Sequence, residues 1–154
     1  MSAGPNTYRY LSRSPLSAVD PLGLDTLVFK DGILTHYDAY GNVLNSMPAT
    51  SGVPGVTDPS VPNQGPIPPG RYTLNPDEIS PTNWMRQFLD PRDWGEYRVP
   101  LHPDSNTDTL GRTGFMLHGG KVPGSAGCID VGGGDGVLFP DLRRVKSPIS
   151  VIVP

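Results

Sequence analysis

Phe115-Met116-Leu117-His118-Gly119-Gly120 and, a few residues on, Ser125-Ala126-Gly127-Cys128-Ile129-Asp130 form the run on which the reading of this chain turns. The apolar Phe115-Met116-Leu117 reads as a buried strand that delivers His118 to its end, and Gly119-Gly120 lets the backbone turn away sharply. Cys128 is the only cysteine in the chain and follows His118 by ten residues. An ordinary thiol is only about 3% thiolate at pH 7, so a nucleophilic one needs a proton acceptor or a cation beside it. His118 is the candidate. The small residues before the cysteine leave room for a carbonyl group to approach, with the backbone N–H groups of Gly127 and Cys128 facing a developing oxyanion. The competing reading is a small buried cysteine beside a satisfied histidine. It gives no reason for glycines on both sides of the pair.

Working outward, the composition fits one compact, β-rich domain. The chain has 154 residues, of which 36% are hydrophobic, enough for a single core. Nineteen glycines and nineteen prolines are too many for long helices, and they are spread between apolar runs, unlike a low-complexity tract. A formal charge of −3 supplies no basic face for phosphates and argues against nucleic acid as a partner. A lone cysteine excludes an internal disulfide. No apolar run approaches the ~20 residues of a membrane span, and the first residues lack a signal-peptide pattern. Export is therefore expected to depend on a larger parent chain.

The predicted elements are mostly strands. Leu27 to Lys30, Asp31-Gly32, then Ile33 to Tyr37 reads as a tight hairpin, because Asp-Gly accepts the positive φ angles of a type I′ turn. Tyr40-Gly41-Asn42 turns the chain into a strand from Val43 to Met47. Residues 51–69 are crowded with Pro and Gly and read as a long ordered loop leading to a strand from Arg71 to Leu74. A short helix is expected over Asn83 to Leu89. Strands follow at Tyr97 to Leu101 and Thr113 to His118, then a helical turn or two from Val137 to Val145 broken at Pro140, and a closing strand from Ile149 to Val153.

The ordered motifs carry a family resemblance. His118-Gly119-Gly120 followed by Ser125-x-Gly127-Cys128-Ile129 resembles the active-site signature of L,D-transpeptidase (YkuD-type) enzymes, and in particular of the Tlde1 group of type VI secretion effectors. Gly65-Pro66-Ile67-Pro68-Pro69-Gly70-Arg71-Tyr72 resembles that family's "pIPxGxY" segment, and Trp94 to Leu101 resembles the lead-in to its histidine strand. The resemblance covers residues 25–154. It implies a mainly β, L,D-transpeptidase-like β-sandwich with long Pro/Gly-rich loops and one or two short helices. It also implies a cysteine acyltransferase acting on peptidoglycan stem peptides without cofactor or metal. In that chemistry Cys128 attacks an amide carbonyl, His118 is the base, the Gly119 carbonyl orients the histidine, and Gly127 and Cys128 supply the oxyanion donors. Water as acceptor gives L,D-carboxypeptidase action, a free D-amino acid gives exchange, and a second stem gives a cross-link.

A second resemblance lies at the amino-terminal end. Pro15-Leu16-Ser17-Ala18-Val19-Asp20-Pro21-Leu22-Gly23-Leu24 resembles the P-x-x-x-x-D-P-x-G-L signature that closes the core of Rhs polymorphic toxins. It implies a remnant of a parent Rhs shell over residues 1–24, self-cleavage between Leu24 and Asp25 involving Asp20, and a toxin domain over residues 25–154. Such a toxin acts in the periplasm of a target bacterium and needs a cognate immunity protein in its producer. The competing reading is a flexible Pro-rich leader.

The chain departs from the general transpeptidase pattern at Ala126 and Asp130, where a histidine and an arginine are usual. Arg112 and Arg71 are then the candidates for holding the stem carboxylate, since guanidinium forks suit carboxylates; each also reads as a solvated surface charge. Asp130 reads either as a surface or turn residue or as a contact for a substrate amine. Ser125 either bonds the stem peptide or caps its turn, and Trp84 and Trp94 read as core or as a sugar-groove lining. Three other classes stay open. Cys128 and His118 with His36 or His102 can be weighed as zinc ligands, though their spacing lacks the usual pairing. A non-catalytic wall-binding module and a different cysteine acyl hydrolase, such as an amidase or deamidase, complete the set.

Overall fold

Asp31 and Gly32 set the first turn in the computed structural model, which describes residues 24–81, 97–120 and 127–154. Both adopt left-handed φ angles, 54° and 77°, and they join β1 (Thr26–Lys30) to β2 (Ile33–Tyr37) with Lys30 opposite Ile33. This is the geometry the Asp-Gly pair favours, because its twist matches that of the flanking strands. A third strand, β3 (Val43–Pro48), pairs antiparallel with β2 and forms one edge of the sheet.

The last strand in sequence lies inside this sheet. Designated β11 (Ile149–Val153), it runs parallel to β1 on one side and antiparallel to β5 (Gly70–Leu74) on the other. The two-residue β8 (His102–Pro103) pairs with β5 and closes the order β3-β2-β1-β11-β5-β8. Alternation along β11 explains its place. Ile149, Val151 and Val153 are buried on the face that also carries Leu27, Leu34, Tyr72 and Leu74.

The second sheet has the order β4 (Thr50–Ser51), β10 (Ile129–Asp130), β9 (Met116–His118), β7 (Tyr97–Pro100) and β6 (Ser80–Pro81). Only the β9/β10 pair is parallel, so both sheets are mixed. One core cluster joins them: Val99, Leu117 and Ile129 from the second sheet meet Leu27, Tyr72 and Val151 from the first. The result is a mainly β, two-sheet fold with one short α-helix and two single-turn 3-10 helices among the described residues.

That helix, α1 (Asp135–Arg143), corrects the sequence expectation of a break at Pro140, which lies inside it. The missing Pro140 N–H forfeits one bond to Gly136, early in the helix. Burial of Leu138, Phe139 and Leu142 outweighs that loss and holds the segment helical. The strand expected from Thr113 begins only at Met116, because Gly114 takes a left-handed φ of 80° and interrupts the pleat. The helix expected over residues 83–89, both tryptophans, and Ser125 lie outside the described residues, as do Pro15, Asp20, Pro21 and Gly23.

Candidate active site

The parallel pairing of β9 with β10 sets Leu117 opposite Ile129 and His118 opposite Asp130. Side chains alternate along a strand, so Leu117 and Ile129 enter the core while His118 and Asp130 share the opposite face. Cys128, one residue before β10, falls on that same face, next to Met116. None of the three is a surface group: Cys128 is 5% exposed, His118 2% and Asp130 3%.

His118 has a defined tautomer. Its Nδ1 donates to the Gly119 carbonyl oxygen at 2.6 Å, and because a carbonyl only accepts, the proton must sit on Nδ1. In the neutral ring Nε2 then carries the lone pair, the form a general base requires. A side chain at Gly119 would run into the Asp135 carboxyl, so the close approach of α1 to this backbone depends on the absent Cβ.

Burial pushes the Cys128 thiol above its ordinary range, and the nearby charge of Asp130 adds to the rise. A hydrogen bond from the Met116 backbone and the positive charge of Arg112 pull the other way. The net result is a resting thiol at neutral pH, one that needs its proton removed as it attacks. Asp130 is also raised, first by burial and then by the charge of Asp135, against the Gly132 N–H bond at 2.8 Å and the nearby His118.

Asp130 is thus not a surface residue, and its side chain serves the turn by accepting the Gly132 N–H, so of that reading the turn half stands and the surface half does not. Replacing it with Asn keeps an acceptor for the Gly132 N–H and removes a buried negative charge. Its carboxyl ionises later in the folded than in the unfolded chain. The folded state therefore loses stability as pH rises from the ordinary Asp range through the raised Asp130 value. The Asp130→Asn variant should accordingly melt higher than the wild type at pH 8, by about 2–4 °C, and match it near pH 3. Melting curves at the two pH values check this.

Asp135 was not singled out in the sequence. It opens α1, is buried, and lies against Gly119. An acidic residue in a first helical turn is the available signal, but only the fold brings it against Gly119, the residue after the histidine. Arg112 is buried too, at 8% exposure, and packs beside Gly127. Arg71 is exposed on β5 in the other sheet, and the structure does not bring it to the Cys128 face.

The histidines weighed as zinc ligands are engaged elsewhere. His36 Nε2 meets Asp25 at 2.8 Å on the first sheet, and His102 Nε2 meets Glu78 at 2.7 Å. Among the described residues no three His, Cys, Asp or Glu side chains form a metal-holding group. An open groove of about 760 Å³ adjoins the site, its walls including Met47, Ala49, Thr50, Gly120, Asp130 and Gly133. Asp130, which shares the face of His118 and Cys128, is thus also part of the groove wall.

The solved structures to which the chain is similar include L,D-transpeptidases. L,D-transpeptidase 1 of Mycobacterium tuberculosis is 22% identical, with a TM-score of 0.46 over 84% of this chain and 63% of its own. An L,D-transpeptidase from Mycobacterium smegmatis is 21% identical, with a TM-score of 0.46 over 85% of this chain and 58% of its own. That of Xylanimonas cellulosilytica is 13% identical, with a TM-score of 0.48 over 95% of this chain and 70% of its own. The chain spans less than two thirds of the length of the first two. No curated protein matches it in sequence. The Tlde1 domain matches residues 54–136, more than half of the chain and including His118, Cys128 and Asp130. The chain belongs to the Tlde1-domain family.

Proposed function

We propose that the protein is a cysteine acyltransferase of the L,D-transpeptidase/L,D-carboxypeptidase kind that acts on the tetrapeptide stems of peptidoglycan. The observation that carries this reading is the histidine tautomer: Nδ1 is held by the Gly119 carbonyl, which leaves Nε2 as an acceptor on the face shared with Cys128. Membership of the Tlde1-domain family supports peptidoglycan stems as the substrate class.

The reaction follows from the groups present. His118 Nε2 takes the thiol proton as Cys128 Sγ attacks the carbonyl carbon between stem positions three and four, and backbone N–H groups at Gly127 and Cys128 stabilise the oxyanion. Collapse breaks the C–N bond. His118 returns its proton to the departing D-alanine amine, leaving a thioester on Cys128. Water or the amine of a free D-amino acid then attacks the thioester, loses its proton to His118, and releases the thiol. Water yields tripeptide stems and the amine yields exchanged stems. Both outcomes consume the tetrapeptide donors a growing wall requires.

The amino-terminal motif supports the wider reading: a toxin domain over residues 25–154, cut from a parent Rhs shell after Leu24, delivered to the periplasm of a competitor and neutralised by an immunity protein at the Cys128 face. The experiment is to incubate the wild type and Cys128→Ala with tetrapeptide-rich peptidoglycan, with and without a free D-amino acid, and to identify muropeptides by mass. Tripeptide or exchanged stems from the wild type alone are the expected result. An unchanged profile from folded, reduced wild type would instead favour a wall-binding module or an acyl hydrolase of another substrate.

A further inference from the structure

Arg112 is a buried cation whose hydrogen-bond partners among the described residues are backbone carbonyls. Nη1 donates to Pro59 O at 2.6 Å and to Pro66 O at 2.8 Å, and Nη2 donates to Gly65 O at 3.1 Å. The guanidinium carbon lies 5.5 Å from the centroid of the Phe115 ring. Its other side abuts Gly127: with φ of 89°, that residue is placed so that any Cβ would collide with Nη2. The Pro/Gly-rich loop is held a second time, where the Ile67 N–H donates to Ser51 Oγ at 2.8 Å. Ser51 itself pairs with Ile129, the residue after the cysteine.

The loop therefore reaches both flanks of Cys128: through the Arg112 guanidinium that packs against Gly127, and through Ser51, which pairs with Ile129. We propose that Arg112 is a positioning residue for the nucleophile: its guanidinium is anchored by the loop carbonyls of residues 59–66, packs against Gly127 where only a glycine fits, and so fixes the backbone from which Cys128 and its oxyanion donors project. Arg112 acts through Gly127 and not on the substrate. A planar fork meets three carbonyls and stacks on an aromatic ring at once, which a lysine ammonium cannot do. Displacing a reacting group by about 1 Å costs on the order of 100-fold in rate, so a loosened clasp is expected to show in turnover.

This inference rests on the reading of Cys128 as nucleophile, and the test separates the two. Wild type, Arg112→Lys, Arg112→Met and Cys128→Ala are compared for kcat and KM on tetrapeptide stems, and for the pH dependence of Cys128 alkylation by iodoacetamide, read by intact mass. Arg112→Met should lower kcat by about 10- to 100-fold with KM within about twofold, and should move alkylation to higher pH. Arg112→Lys should lower kcat as well, because it keeps the charge and loses the fork, with a smaller move in alkylation. A wild-type kcat in both variants, or a rise in KM as large as the fall in kcat, would overturn the proposal, the latter assigning Arg112 to substrate binding. If Arg112→Met does not fold, Arg112→Lys decides by the same criteria. Turnover retained by Cys128→Ala would defeat the nucleophile reading alone, and the alkylation profiles would still report whether Arg112 positions the thiol.

Discussion

Cys128→Ala is expected to lower the conversion of tetrapeptide stems by at least about 10⁴-fold, down to whatever the oxyanion donors and binding alone provide. The size of the loss follows from what the substitution removes: the only thiol in the chain, on the face shared with a histidine whose tautomer is fixed. Alanine leaves the backbone of the site in place. Cys128 lies just before β10 and, though buried, outside the core cluster that Ile129 and Leu117 build, so the melting temperature should move little. Activity and melting curves measured on the same preparation separate a lost nucleophile from a lost fold. An alanine variant with more than a few per cent of wild-type turnover would show that another group forms the acyl-enzyme.

His118→Asn is expected to cost about 10²- to 10⁴-fold, the range over which a positioned general base contributes. Asparagine can still donate to the Gly119 carbonyl, which preserves the local geometry, but it offers nothing in place of Nε2. The loss should depend on pH in a defined direction. Burial holds the Cys128 thiol above its ordinary range, so near neutral pH the variant has neither a base nor a thiolate. As pH rises through and beyond the ordinary thiol range, solvent takes over the deprotonation and the variant should recover part of its rate. A pH–rate profile from pH 6 to 10 checks this. Parallel profiles for variant and wild type would mean that His118 does not take the thiol proton.

The strand pattern was legible where local chemistry decides. Asp31-Gly32 dictates its turn, and the alternation in Ile149 to Val153 dictates a half-buried strand. Nothing local announces that this last strand sits between β1 and β5, since that place depends on pairings with residues far away in sequence. Pro140 misleads for a related reason: the local penalty is real, but the buried Leu138, Phe139 and Leu142 outweigh it.

In the site, residue types were readable and their surroundings were not. Asp130 sits two residues after the cysteine in a Gly-rich stretch, which suggests a surface turn as readily as a buried strand end. Only the pairing with β9 and β4 encloses it. Asp135 reaches Gly119 through the packing of a helix, and Arg112 reaches carbonyls 46 to 53 residues away. Contacts of that separation leave no periodicity or spacing to read.

The mechanism passes through a thioester on Cys128, which mass spectrometry of rapidly acid-quenched reactions, on the intact protein and on its acid-protease digest, detects as an adduct. Wild type mixed with a purified tetrapeptide stem donor should gain the mass of the tripeptide acyl group on the peptide that contains Cys128. A free D-amino acid should discharge that adduct, and Cys128→Ala should show none. Stem conversion with no adduct on the wild type, or with the adduct on another residue, would mean that Cys128 is not the acyl carrier.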